Sequence, residues 1–139
     1  MTNKSEREAG RIGDVTVWPA DWSILREAHP NVLVTGTPPA TGAFLRAVEA
    51  FLRPPVVCVD AGDPLPSAPT SGTLVLRGIW RLSWDQQQAL MDWYDEAKPK
   101  GSLQVVTLTE TPLYPQVQAG VFLDALYYRL GTLLFQVSS

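Results

Sequence analysis

Short apolar runs alternate with stretches of helical period along most of this chain. Residues 31–36 (N-V-L-V-T-G) form an apolar run closed by glycine, which reads as a buried strand. Residues 41–53 then place Leu45, Val48 and Leu52 on one helical face. Residues 55–60 read as a second strand, and residues 61–71, with three prolines, as a loop. A third strand is expected over 73–77. Ser83, with Gln86 three residues on, has the spacing of a capping box, and Leu90, Trp93, Tyr94 and Ala97 form the apolar stripe of the helix it opens. Residues 103–108 read as a fourth strand, 115–130 as a helix broken near Gly120, and 132–137 as a fifth strand. Ahead of this pattern, 14–18 alternates like a short strand. Asp21 or Ser23 is expected to cap a helix reaching about His29, which Pro30 stops.

Strands alternating with helices imply a mainly parallel sheet covered on both faces, a three-layer αβα domain. Residues 1–13 read as a flexible lead-in and 14–139 as one domain. A chain of 139 residues buries roughly two-thirds of its unfolded surface, enough for a single core. The net charge of −3, without a basic tract, argues against a nucleic-acid surface. No apolar run approaches the roughly 20 residues that span a bilayer, and no signal core precedes the domain, so a cytoplasmic location is expected. One cysteine, Cys58, excludes an internal disulfide, and one histidine, His29, weighs against a His-based metal site. Cys58, mid-strand, is expected to be buried, and most of the five tryptophans to be core.

Two segments carry a resemblance. Gly72-Thr73-Leu74-Val75-Leu76-Arg77-Gly78-Ile79 resembles a Walker B strand, and Gly120 to Gly131 resembles the pattern G-x-F-R-x-D-L-Y-Y-R-L-N, with Leu126 to Leu130 matching consecutively. Both are similar to the AAA+ ATPase domain of sigma-54-dependent transcription activators. The resemblance implies a P-loop sheet of order 5-1-4-3-2. It also implies where the chemistry should lie, and there the residues depart from the pattern. The loop Gly36-Thr37-Pro38-Pro39-Ala40-Thr41-Gly42-Ala43-Phe44 has five residues between its glycines, Ala43 in place of the phosphate-binding lysine, and Phe44 at the magnesium-ligand position. No lysine lies between Lys4 and Lys98. Arg77 and Gly78 replace the acids that hold magnesium and polarise water. The strand end that usually carries Thr-Asn has Thr109-Glu110, and a carboxylate there repels phosphate. Of the family's two ring-facing arginines the first is Leu123 and the second survives as Arg129. The loop that contacts sigma-54 has no counterpart in 61–71, and the lid domain is expected to be absent.

The expected reading is thus a catalytically inactive domain acting as a regulatory or scaffolding module. Its partner is a true sigma-54 activator or a second copy, with no resident cofactor or metal and no direct contact with nucleic acid or membrane. Phe122, Tyr127, Tyr128 and Arg129, with Trp80 and Trp84, are its expected contact residues. Arg129 is read either as a local ion pair or as a finger into a neighbour, and Arg77 as a partner for Asp60 or Glu110. The alternative is a domain that binds ATP or ADP weakly without hydrolysis, Arg77 and Arg129 supplying the charge. An enzyme of unrelated chemistry is the third possibility, for which the sequence offers no constellation.

Overall fold

The computed structural model describes residues 10–12, 15–17, 19–66, 71–97 and 103–137. Its centre is a five-stranded parallel sheet. The first described elements form a hairpin, β1 (Gly10–Ile12) against β2 (Val15–Val17), antiparallel. Residues 10–12, read from sequence as lead-in, are therefore a strand. Helix α1 (Pro19–Ala28) starts ahead of both expected caps, because proline fits a first helical turn whose N–H groups have no partner. It ends at His29, which turns left-handed (φ 50°).

Strand β3 (Val32–Thr35) leads into α2 (Pro38–Val48), extended by a 3-10 turn at Glu49–Phe51. The expected helix start at residue 41 is three residues late, for the same reason that α1 was misplaced: Pro38 and Pro39 sit inside the first turn. Then come β4 (Val56–Asp60), β5 (Gly72–Arg77), a 3-10 turn at Ile79–Arg81, α3 (Trp84–Ala97) and β6 (Leu103–Thr109). The expected break near Gly120 separates two short helices, α4 (Tyr114–Gln118) and α5 (Asp124–Leu130), and β7 (Leu133–Gln136) closes the sheet. The capping box forms as expected: Ser83 N–H donates to Gln86 Oε1 at 2.9 Å and Gln86 N–H to Ser83 Oγ at 3.2 Å.

The sheet order is β4-β5-β6-β3-β7. Numbered in chain order without the hairpin, this is 2-3-4-1-5, the expected order read from the other edge. Alternate strand residues face opposite layers. Val32, Val34, Val75 and Val106 pack with Phe44 and Val48 of α2 and Leu25 of α1. Leu33, Leu74, Leu76 and Val105 pack with Leu90 and Tyr94 of α3 and with Leu126 and Leu130 of α5. Both sheet faces are thus apolar, as parallel strands require.

Two buried amides fasten the second layer. Gln87, 1% exposed, donates to the carbonyls of Leu82 (3.2 Å) and Val121 (3.0 Å) and accepts from Leu123 N–H (2.7 Å). Asn31 donates to Tyr94 Oη (2.7 Å) and to the Arg129 carbonyl (2.8 Å), and accepts from Val105 N–H (2.8 Å). Each amide is close to saturated, which is what makes its burial tolerable.

Candidate functional site

A cleft of about 480 Å³ opens where the strands end, between α2 and the loops leaving β4, β5 and β6. The carboxyl edge of an open parallel sheet is where such folds bind ligands. Of the expected site residues, Thr41, Gly42, Arg77, Gly78, Thr109 and Glu110 all line it, joined by Asp60 and Arg81. Gly36 and Ala43 stand beside it without lining it. Gly36 closes β3: its N–H donates to the Thr109 carbonyl at 3.0 Å. A Cβ there would lie 2.6 Å from the Val137 carbonyl oxygen, so packing against the end of β7 is what demands glycine. Ala43 packs against the core beneath α2, and Phe44, which the resemblance places where a magnesium ligand is expected, is 1% exposed with its ring 5.0 Å from that of Phe135.

The start of α2 decides how this cleft meets an anion. A helix leaves its first N–H groups unpaired, and a phosphate normally takes them. Here Pro38 and Pro39 have no N–H. The next, on Ala40, faces the Thr37 hydroxyl at 3.4 Å, and Thr41 N–H already donates to the Thr37 carbonyl at 2.9 Å. The Thr41 hydroxyl donates to the Pro38 carbonyl at 3.3 Å. Thr109, fully buried, donates to the Thr111 carbonyl at 2.7 Å.

Arg77 pairs with Asp60, Nε to Oδ1 at 3.1 Å, resolving the choice between Asp60 and Glu110 in favour of Asp60. Both side chains are more than half exposed (56% and 65%), so the pair contributes no more than about 1 kcal/mol. Gly78, where a base is expected, adopts a left-handed conformation (φ 75°, ψ 23°) that a glutamate enters only with strain. Arg81 lies over the Trp80 ring, 5.1 Å from its centre. Two arginines face two carboxylates in the cleft, leaving its formal charge balanced. Among the described residues, no group of three or more His, Cys, Asp or Glu side chains is placed to hold a metal.

The expected contact residues scatter. Phe122 (2% exposed) and Tyr127 (8%) belong to the core and are unavailable to a partner, a correction with a simple cause: α5 and the residues leading into it lay their apolar side chains in the layer beneath the sheet. Tyr128 and Trp84 are exposed, and Trp80 is half-buried against the core. Burial, then the neighbouring phenols of Tyr128 and Tyr114, pushes the Tyr127 phenol above its ordinary value. Arg129 forms a fork with Asp95 of α3, Nε to Oδ1 at 2.7 Å and Nη2 to Oδ2 at 3.0 Å, and also donates to the Ala125 carbonyl. That hydrogen bond, more than the attendant charge attraction, raises the Arg129 pKa further. Arg129 is thus the local ion pair of the two readings. Cys58 is exposed, not buried as expected, because β4 is an edge strand. Trp93 donates to the Pro66 carbonyl at 3.1 Å, and the Trp18 and Trp22 side chains lie outside the described set. The sequence assigned Gln87 and Asn31 no role. Gln87 lies in the polar run Asp85-Gln86-Gln87-Gln88 and Asn31 just ahead of the apolar run 32–34, so neither stands out by its neighbours.

No family model matches the chain, and no curated protein does. Solved structures do. NtrX from Brucella abortus in complex with ADP superposes with a TM-score of 0.64 at 18% identity, over 86% of this chain and 34% of that one. The same protein in complex with ATP gives 0.64 at 16% identity, over 83% and 33%. The fold is AAA+-like. This chain spans about a third of the length of those structures. The AAA+-like frame fixes the cleft at the strand ends, while the side chains that line it are this chain's own. No helix among the described residues is long and apolar enough to cross a membrane.

Proposed function

We propose that this chain is an AAA+-like domain that does not hydrolyse ATP and serves as a regulatory or scaffolding protein-interaction module. Its setting is the cytoplasm, and its work is transcription regulation through contacts with a sigma-54 activator or with a second copy of itself. The observation that carries the reading is the start of α2. Two prolines and a threonine cap leave that helix no spare N–H for a phosphate, and the neighbouring positions hold Ala43 and Phe44 in place of a cation and a magnesium ligand. Arg77, a cation lining the cleft, is held by Asp60. Trp84 and Tyr128 remain exposed and able to contact a protein.

The test is calorimetric titration with ATP and ADP, with and without magnesium. Silence at millimolar nucleotide is expected. Micromolar binding would sink the reading and return the cleft to nucleotide chemistry. A second reading, weak nucleotide binding without hydrolysis, draws on the roomy cleft with Arg77 and Arg81 at its rim, and on the similarity to structures that carry ADP and ATP. It requires a magnesium-independent signal that Arg77→Ala removes.

A further inference from the structure

The outer edge of the sheet at β4 carries the strongest unassigned feature. An edge strand leaves a row of N–H and C=O groups unpaired, and proteins usually blunt such rows with lysine, inward charges or a covering segment. Here Val56 and Val57 are 40% and 41% exposed, and Cys58 between them and Val59 is exposed as well. No lysine interrupts the strand. Among its described residues the connection from β4 to β5 has no helix.

The hydrogen bonding of β4 tells which groups point outward. Thr73 N–H donates to the Pro55 carbonyl, and Ala61 N–H to the Arg77 carbonyl. Val57 lies opposite Leu74 and Val59 opposite Leu76. A parallel ladder uses every second residue of a strand. Residues 55, 57, 59 and 61 therefore bond to β5, while Val56, Cys58 and Asp60 turn their peptide groups away from the sheet.

We propose that β4 pairs antiparallel with β4 of a second copy, about a two-fold axis at Cys58. This names a partner for the interaction module proposed above and rests on that reading. The register follows from the outward groups. Cys58 opposes Cys58 of the second copy as a hydrogen-bonded pair, and Val56 opposes Asp60. On the other face Val57 meets Val59, covering apolar surface left exposed in the single chain. The charges complement one another: the axis brings Arg53 of each copy toward the turn of the other that holds Asp60 and Asp63. Asp60 offers its N–H and a second lone pair on its carbonyl, the first being used by Asp63 N–H at 3.0 Å.

The experiment is sedimentation equilibrium of the whole chain without nucleotide, so that it fails or succeeds separately from the calorimetric test. Wild type is expected as a dimer at micromolar concentration. Val57→Lys, which loses the contact with Val59, should raise the dimer dissociation constant by on the order of tenfold or more, both copies carrying the change. The register is read by charge at residue 56: Val56→Asp, facing Asp60, should weaken the dimer more than Val56→Lys, which faces the same carboxylate. Circular dichroism identifies which variants fold, and either substituted position suffices. Cys58 is the sole cysteine, so a disulfide-linked dimer formed with diamide, which takes up the two thiol hydrogens, joins Cys58 to Cys58. In a hydrogen-bonded antiparallel pair the Cα atoms lie about 5.5 Å apart, within disulfide reach. A monomer at every concentration, a dimer indifferent to folded Val57→Lys, or equal effects of aspartate and lysine at residue 56 would each overturn the proposal.

Discussion

Gly42 sits within α2 with open space around it: a Cβ there would come no nearer than 3.5 Å to any heavy atom, that atom being the flexible tip of Arg46. Nothing steric holds glycine at this position, and glycine inside a helix costs about 0.5–1 kcal/mol relative to alanine. Gly42→Ala should therefore stabilise the protein by about that amount in urea unfolding, and a loss of stability would show that the Arg46 tip cannot move aside. Gln87 lies at the opposite extreme. Gln87→Leu fills the same space but strands Leu123 N–H and the Val121 carbonyl in a dry layer. Each unpaired group costs about 1–3 kcal/mol, so a loss of about 3 kcal/mol is expected. A loss below about 1 kcal/mol would show that water reaches these groups. The two residues also mark what the sequence concealed. The apolar period located α3, but period is blind to which polar residue on the buried side carries three hydrogen bonds.

At the scale of elements, capping was legible because it follows from local pattern, whereas the strand order came from the resemblance. The capping box at Ser83 and the five apolar runs needed only neighbours in sequence to be read. The starts of α1 and α2 were not, since proline reads as a breaker unless its place in the first turn is known. Nor was the exposure of β4: a run of Val-Val-Cys-Val looks buried until the strand order places it at an edge. Helix α5 supplies a testable consequence of the layer it packs in. Its Tyr127 phenol is raised above the ordinary value, first by burial and then by Tyr128 and Tyr114. A group whose folded value lies above its unfolded one contributes stability that is whole below the unfolded value, near 10 for tyrosine, and is lost as pH rises through the folded value. Wild type should therefore lose stability as pH climbs past about 10, and Tyr127→Phe should flatten that decline. Parallel curves for the two proteins would remove Tyr127 from the account. The Arg129–Asp95 fork ties α5 to α3 at the surface, and with side chains 35% and 44% exposed it adds no more than about 1 kcal/mol.

For the whole molecule the question is whether the frame alone could be made to work. The sheet is that of an AAA+-like domain, so placing the residues of the resembled pattern in it is the direct test: Ala43→Lys with Arg77→Asp and Gly78→Glu. The expectation is that hydrolysis is not restored, for three reasons located in different elements. Lysine alone provides charge but not the N–H cradle, because Pro38 and Pro39 still occupy the start of α2. Glutamate at residue 78 must adopt the left-handed conformation held there by the turn into Ile79–Arg81, or unwind that turn. Aspartate at residue 77 would face Asp60 across the register, like charges at adjacent strand ends. Only Asp60 can be relieved simply, by Asp60→Asn. Phosphate release assayed with magnesium and ATP should remain at background in the triple variant, with Asp60→Asn added or not. Turnover above background would show that the loop before α2 rearranges on binding, and that the donor count at the helix start does not govern this cleft.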